Sequence, residues 1–455
     1  MRCFPTLNRV SSGYEYAPTF QWLSYETTNH YSLPANRRTN NRRNLMDSTR
    51  RKFVSGLAAM TSASLFSHNH SLGLSIESQD FLTRNYPDLS GTYLDNASRH
   101  PMTVTAAAAV RDYVSGLATG NEADVSSSVR TNFAELINAN HDEITYAPST
   151  TLGENLITTA LGMPASGGQI ITDALHFIGS FYLYEQLKRQ GMDVIILPSQ
   201  EDGTISLNQY KEAITEETVL IAVSHVSWIN GFEHDLKSLS DIAHAAGAYL
   251  YVDLIQSAGN TPIDVKAMGV DFASCGTYKW LMGDFGLAFL YVNKLHLEKL
   301  QRPWYGYLQT RNFVSPETHM YPFDTPGSPQ YISSRKSGIE GFFNGSFPPR
   351  MIEAAANISL QMLLETGIEF LQARRQPLIE ALQTTLRERG FRPYTPQGSK
   401  SPIVSFINKN SESLNDRLAQ ANVSISTYSD RFRISPSFYN DMNDIDRVID
   451  VLGRA

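Results

Sequence analysis

Cysteine is almost absent from this 455-residue chain, which has only Cys3 and Cys275. That count excludes a disulfide framework and a cysteine-rich zinc site. The eleven histidines fall in no HExxH or comparable spacing, so the sequence contains no recognisable metal motif. No G-x-G-x-x-G follows a strand-like run, which removes a nicotinamide site on a Rossmann sheet. The apolar stretch after Phe53 is too short to span a membrane as a helix. Positive charge is also scarce in the body of the chain. Residues 1–71 hold nine Lys/Arg and three Asp/Glu, leaving residues 72–455 with 29 basic and 42 acidic side chains. So acidic a body lacks the basic footprint that phosphate backbones require, and nucleic-acid binding is excluded. The remaining composition is 42% hydrophobic and 18% charged, ordinary for a globular chain long enough for two domains.

The first 75 residues read as an extension outside the fold. Residues 1–45 are polar, aperiodic and end in NRRTNNRRN, a composition that predicts disorder. From Met46 to Phe66 a charged segment containing Thr49-Arg50-Arg51-Lys52-Phe53-Val54 precedes a modest apolar stretch and the small residues Ser62-Ala63-Ser64. That order resembles a twin-arginine export signal. It predicts a periplasmic product starting at Met46, or a cytoplasmic one if the segment is only a basic linker.

Beyond residue 80 strands and helices alternate. Gln169–Asp173, Asp193–Pro198, Val219–Ser224 and Tyr249–Asp253 read as buried strands. Gly179–Gln190 and the segment capped by Asp235 and ended by Gly247 read as helices. The pattern predicts a mostly parallel sheet covered on both faces, with ligands collecting at the carboxyl ends of its strands. After residue 345 two long helices (Met351–Leu364, Ile368–Arg389) and short strands near Ile403–Ile407 and Phe432–Ser435 indicate an α+β second domain. The expected division is an N-terminal arm at 76–100, a large domain at 101–345 and a small one at 346–455.

Chemistry concentrates in the stretch from Tyr249 to Val292. Asp253 closes a strand, and Lys279 follows 26 residues later between Tyr278 and Trp280. A lysine among apolar neighbours loses its proton readily, as a Schiff-base lysine must. A strand-end aspartate beside it can hold a pyridine nitrogen protonated. Taken singly, each residue fits a helix cap or an ordinary surface group equally well.

Their combined pattern resembles the class V aminotransferase family, which includes cysteine desulfurases, kynureninases and isopenicillin N epimerase. The resemblance rests on Val252-Asp253, Gln256 and Gly259, then Asp271-Phe272, Lys279-Trp280-Leu281, and Gly286 with Ala288-Phe289-Leu290-Tyr291-Val292. It continues from about Phe81 to the C-terminus. Pro87 to Ser98 is similar to the family's N-terminal arm, and Ser149-Thr150-Thr151-Leu152-Gly153-Glu154-Asn155 to its phosphate loop.

The resemblance implies a fold type I pyridoxal-phosphate (PLP) transferase. Its α/β large domain would have three αβα layers around a mostly parallel sheet, with a smaller α+β C-terminal domain. It also implies roles. Lys279 would carry the cofactor, Asp253 would face its ring nitrogen, and Gln256 would reach the ring hydroxyl. Thr150 and Thr151 would hold the phosphate, and Phe177 would stack on the ring, with His176 the one-residue-shift alternative. Ser346 would reach the phosphate of the neighbouring subunit, which implies a homodimer with shared sites. Arg433, before Ile434-Ser435 and Tyr439-Asn440, would clamp a substrate carboxylate.

Three departures stand out. Tyr278 replaces the usual histidine before the lysine, so a phosphate contact falls to Tyr278 or is lost. Trp228 replaces an asparagine that touches the ring hydroxyl, with Asn230 nearby. No cysteine follows Cys275, and Cys275 itself reads as a small core residue, which argues against cysteine desulfuration. The expected activity is transamination of an amino acid or related amine. Epimerase or lyase chemistry of the isopenicillin N epimerase or kynureninase type is the alternative, and a non-catalytic PLP-fold protein is the reading of another class.

Overall fold

The computed structural model describes residues 85–86, 89–125, 128–311, 334–409 and 411–454. The export-like segment at 46–66, Phe81 and Pro87-Asp88 of the arm lie outside the described residues, as does most of the loop after Arg311.

Seven strands form the central sheet: β2 (Ile144–Ala147), β3 (Gln169–Asp173), β4 (Asp193–Leu197), β5 (Thr218–Ser224), β6 (Tyr249–Asp253), β7 (Phe272–Gly276) and β8 (Ala288–Val292). Their spatial order is β2-β8-β7-β6-β5-β3-β4. All run parallel except β8, which is antiparallel to both its neighbours. β5 to β8 are apolar along nearly their whole length because both faces of the sheet are covered. Successive residues enter opposite cores. Ile171, Val223, Leu250 and Val252 join one apolar cluster, while Ile170, Ala222, Tyr251 and Phe272 join the other.

The first helices are α1 (Val104–Thr119), α2 (Val129–Leu136), α3 (Thr150–Ala160), α4 (Ile178–Arg189), α5 (Leu207–Ala213) and α6 (Leu236–Ala245). Asp235 caps α6 by accepting from the Ser238 N–H at 3.0 Å, and Gly247 follows it with φ +77°. α3 lies directly on the sheet. A Cβ on its Gly153 would come within 2.8 Å of the Ser274 Cβ, so only glycine allows this approach.

After the short α7 (Ile339–Phe343) come α8 (Arg350–Thr366) and α9 (Ile368–Glu388). α8 packs against α1 and α2, so packing crosses the 345/346 boundary. The C-terminal region has a four-stranded antiparallel sheet in which β10 (Val404–Ile407) lies between β13 (Arg431–Ile434) and β9 (Arg392–Pro393), with β12 (Ser426–Thr427) on the outer side of β13. α10 (Ser411–Gln420) and α11 (Met442–Leu452) complete it. The arm is sewn into this region. β1 (Thr92–Tyr93) pairs in parallel with β11 (Val423–Ser424), and Leu94 enters the small-domain core. Among the described residues no helix is long and apolar enough to cross a membrane, and no three acidic, histidine or cysteine side chains are placed to hold a metal.

Candidate active site

The site is built at the carboxyl ends of β5, β6 and β7. β6 ends in Asp253, 3% exposed, whose Oδ1 accepts from the Ile255 N–H at 2.9 Å. Burial pushes this carboxyl up to about 6, against the opposing pull first of His176 and then of that N–H.

β7 ends at Gly276, and a closed turn then carries Lys279. The turn is held by Thr277, whose hydroxyl donates to the Asp284 carbonyl at 2.7 Å and whose own carbonyl accepts from Gly283 N–H at 2.8 Å. Lys279 is 6% exposed. Burial, followed by the nearby Arg433 guanidinium, brings its amine down to about 8, with Asp253 opposing. Its Nζ lies 5.6 Å from the centroid of the Tyr278 ring.

Arg433, on β13, is also buried. Its guanidinium donates to the Trp228 carbonyl at 2.8 Å, Ser98 Oγ at 2.6 Å and Ser426 Oγ at 3.0 Å. It also pairs with Asp95 at 3.4 Å, while its Nε is buried without a partner. The α3 N-terminus lies beside β7. Ser149 caps it by accepting from Leu152 N–H, and Ser274 Oγ donates to the Thr150 carbonyl at 3.2 Å.

The profile of the family described as Aminotransferase class-V matches residues 106–448. The chain belongs to the class V aminotransferase family. The uncharacterized aminotransferase YcbU of Bacillus subtilis (strain 168) is 27% identical over 376 residues, covering 79% of this chain and 93% of that protein. A probable cysteine desulfurase of Methanothermobacter thermautotrophicus is 30% identical over 211 residues, 44% of this chain and 52% of the relative. The crystal structure of the cysteine desulfurase CsdA (S-sulfonic acid) from Escherichia coli superposes with a TM-score of 0.71 at 20% identity, over 86% of this chain and 98% of that chain. That likeness establishes the type I fold.

Class V enzymes depend on PLP, and the buried groups fit it. A buried amine with no hydrogen-bond or ion-pair partner among the described residues is unfavourable as an ammonium, which suits a lysine that carries a carbonyl cofactor. A buried carboxylate at the next strand end suits a pyridinium nitrogen. The first turn of α3, with Thr150 buried and Thr151 half-buried, presents N–H groups to an anion.

The other expected residues have these surroundings. His176 has no exposed surface, and both ring nitrogens are engaged, with Ser224 Oγ at 2.9 Å and Glu154 Oε1 at 3.1 Å. Phe177 is half-buried beside Trp228, with ring centroids 6.3 Å apart. Gln256 donates to the Ala97 carbonyl and accepts from the Trp280 indole, both at 2.9 Å, so one amide hydrogen remains for a ring hydroxyl. Tyr278 stacks on Phe285 at 4.2 Å. Asn230 does not replace the asparagine missing at Trp228, because its amide is bonded to Gly203 O, Tyr394 O and Phe232 N. Trp228 instead forms part of the wall between Phe177 and Tyr428. Ser346 is exposed, in a stretch that also includes Phe347 and lies near Pro148 and Gly286. Cys275 is buried in the core with its thiol pushed well up by burial, an inert group as expected.

Sequence reasoning did not single out Asp95, Ser98 and Ser426 around Arg433, or Glu154 and Ser224 around His176. Glu154 had a legible signal. It sits with Gly153, Leu156 and Ile157 on the inward stripe of α3, where an acid needs a partner.

Proposed function

We propose that this chain is a PLP-dependent aminotransferase acting on an amino acid or related amine that bears a carboxylate. The supporting observation is the buried, unpartnered Lys279 amine between Asp253 and Arg433. When bound, PLP supplies an electron-withdrawing ring conjugated to the substrate's amino-bearing carbon.

The protein's own groups do the rest. Lys279 would hold the cofactor, and its amine, near enough to neutrality, would serve as the base for the substrate's α-proton. Asp253 in its ionised form keeps the ring nitrogen protonated. Phe177 covers one face of the ring, and Thr150 and Thr151 at the α3 N-terminus hold the phosphate. Arg433 offers the substrate carboxylate its unpaired Nε, with Nη2 on the same edge exchanging one of its hydroxyl partners to complete a two-point clamp. Ser346, exposed in one chain, reaches the phosphate of a second copy in a homodimer. The basic segment at 46–66 directs export.

A second reading is lyase chemistry at the same site, supported by the similarity to a probable cysteine desulfurase. A persulfide relay through a cysteine after Lys279 is ruled out, since none exists there.

One experiment separates these readings. The purified protein is expected to show a near-visible absorbance band that borohydride abolishes and Lys279→Ala lacks. Incubation with single amino acids and a keto-acid acceptor should then yield a new amino acid and a new keto acid. Ammonia with pyruvate, and no acceptor requirement, would establish elimination instead. A protein that stays colourless with excess PLP would refute both.

A further inference from the structure

Beneath the site lies a charge pair that the reaction as described does not use. Glu154, on the inward face of α3, is 2% exposed. Its Oε1 accepts from His176 Nε2 at 3.1 Å and from the Tyr184 hydroxyl, and its Oε2 accepts from Ser180 Oγ at 2.5 Å. Three donors converge on one carboxylate that water does not reach, an arrangement that favours its ionised form. A buried anion favours a cationic partner, and His176 is the ionisable base that touches it, cationic when protonated.

His176 links this pair to the catalytic edge. Its Nδ1 lies 2.9 Å from Ser224 Oγ, and Ser224 at the end of β5 stands directly opposite Asp253 at the end of β6. The charged groups facing the imidazole are Glu154 from α3, Asp173 from β3 and Asp253 from β6. Asp173 already has its own partners, accepting from Tyr210 OH at 2.7 Å and from His234 Nε2 at 3.2 Å.

We propose that the Glu154–His176 ion pair sets the charge state of Asp253 from within the core, making Glu154 and His176 positioning residues for the contact to the cofactor nitrogen. The inference rests on the PLP reading of the site. Electrostatics agree with the geometry. Burial pulls the imidazole down, but Glu154 dominates and raises it. Burial pushes Glu154 up, but His176 and the hydroxyl donors hold it below its ordinary value. For Asp253, His176 is the largest influence opposing burial, while Glu154, the last and smallest of the influences, acts the other way, so the imidazolium is the half of the pair that holds Asp253 ionised. Without the imidazolium, Asp253 would take up a proton at higher pH and release the ring nitrogen.

The test uses holoenzyme carrying ¹⁵N-labelled histidine, with Glu154→Gln, His176→Gln, the double variant and the apolar replacement Glu154→Leu/His176→Leu. In the wild type one histidine is expected to stay cationic through pH 7, its signal missing from His176→Gln and neutral in Glu154→Gln. On acidification, the midpoint for loss of the cofactor band should rise by about one pH unit, roughly tenfold in proton concentration, in each single variant. It should rise no further in the double variant. The leucine pair, which keeps the core filled, should show the same shifted midpoint with an unchanged Tm. A wild-type His176 neutral at pH 7 would overturn the proposal, as would variants that lose Tm while the midpoint stays put. Absence of any cofactor band in the wild type would instead refute the PLP reading, and the proposal would fall with it.

Discussion

Lys279 and Asp253 are both held away from their solution ionisation, with opposite consequences for stability as pH changes. Asp253 binds its proton more tightly when folded, at about 6 against 3.8. Stability from this group is therefore full below pH 4 and is lost as pH rises through 6. Lys279 binds its proton less tightly when folded, at about 8 against 10.5. Its contribution is full above 10.5 and is lost as pH falls through 8. At pH 7 each costs the cofactor-free fold on the order of 3 kcal/mol. Asp253→Asn is expected to raise the Tm of the cofactor-free protein at pH 7 and leave it unchanged at pH 4. Lys279→Met should raise it at pH 7, with the advantage fading toward pH 10. Calorimetry across pH checks both. Arg433→Lys keeps the charge but loses the planar fork, so KM for a carboxylate substrate should rise roughly tenfold to a hundredfold with kcat less affected. Steady-state kinetics would show whether that division holds. Both of the residues that define the chemistry were readable as a strand-end acid and a lysine in an apolar run. The influence of His176 on Asp253 was not, because it depends on strands β3, β5 and β6 lying side by side.

The seating of α3 on the sheet is a matter of one missing side chain. Gly153→Ala would put a Cβ 2.8 Å from Ser274 Cβ, and relieving that clash moves the helix whose first turn is proposed to hold the phosphate. We expect a loss of about 1–3 kcal/mol in stability together with weaker cofactor binding. Gly153→Ala/Ser274→Gly should recover most of both, as thermal melts and cofactor titration would report. Gly259 acts similarly beside the lysine turn. Its φ is +94°, and a Cβ there would meet the Trp280 carbonyl at 2.5 Å. The sequence indicated these elements well. β3 matches its expected span, β4 and β5 differ from theirs by one residue at one end, and α4 is shifted by one residue at both, since an apolar run or a 3.6-residue period is a local property. Gly153 was legible as part of a phosphate loop, but its role as a contact point was not, because Ser274 lies 121 positions away.

The molecule closes its site with parts from both ends of the chain. Arg433 is held by Asp95 and Ser98 of the arm and by Ser426 of the small domain, and β1 pairs with β11. A chain starting at Leu74 is expected to keep its cofactor band and fold, since the compact unit spans Leu74–Ala455. A chain starting at His100 should lose the Arg433 clamp and bind carboxylate substrates at least tenfold more weakly. Spectra and amino-acid titration of the two truncations make the comparison. By itself the sequence determined the fold class, the strand and helix series, and the strand-end acid and apolar-flanked lysine proposed for the cofactor, because apolar periodicity and motif spacing are written along the chain. Only the tertiary structure decided that Asn230 faces Gly203 and Tyr394, that Gln256 is shared with Ala97 and Trp280, and that Glu154 and His176 form a buried pair. Those outcomes depend on which side chains meet after distant strands align, where burial makes each unpaired polar group costly enough to find a partner.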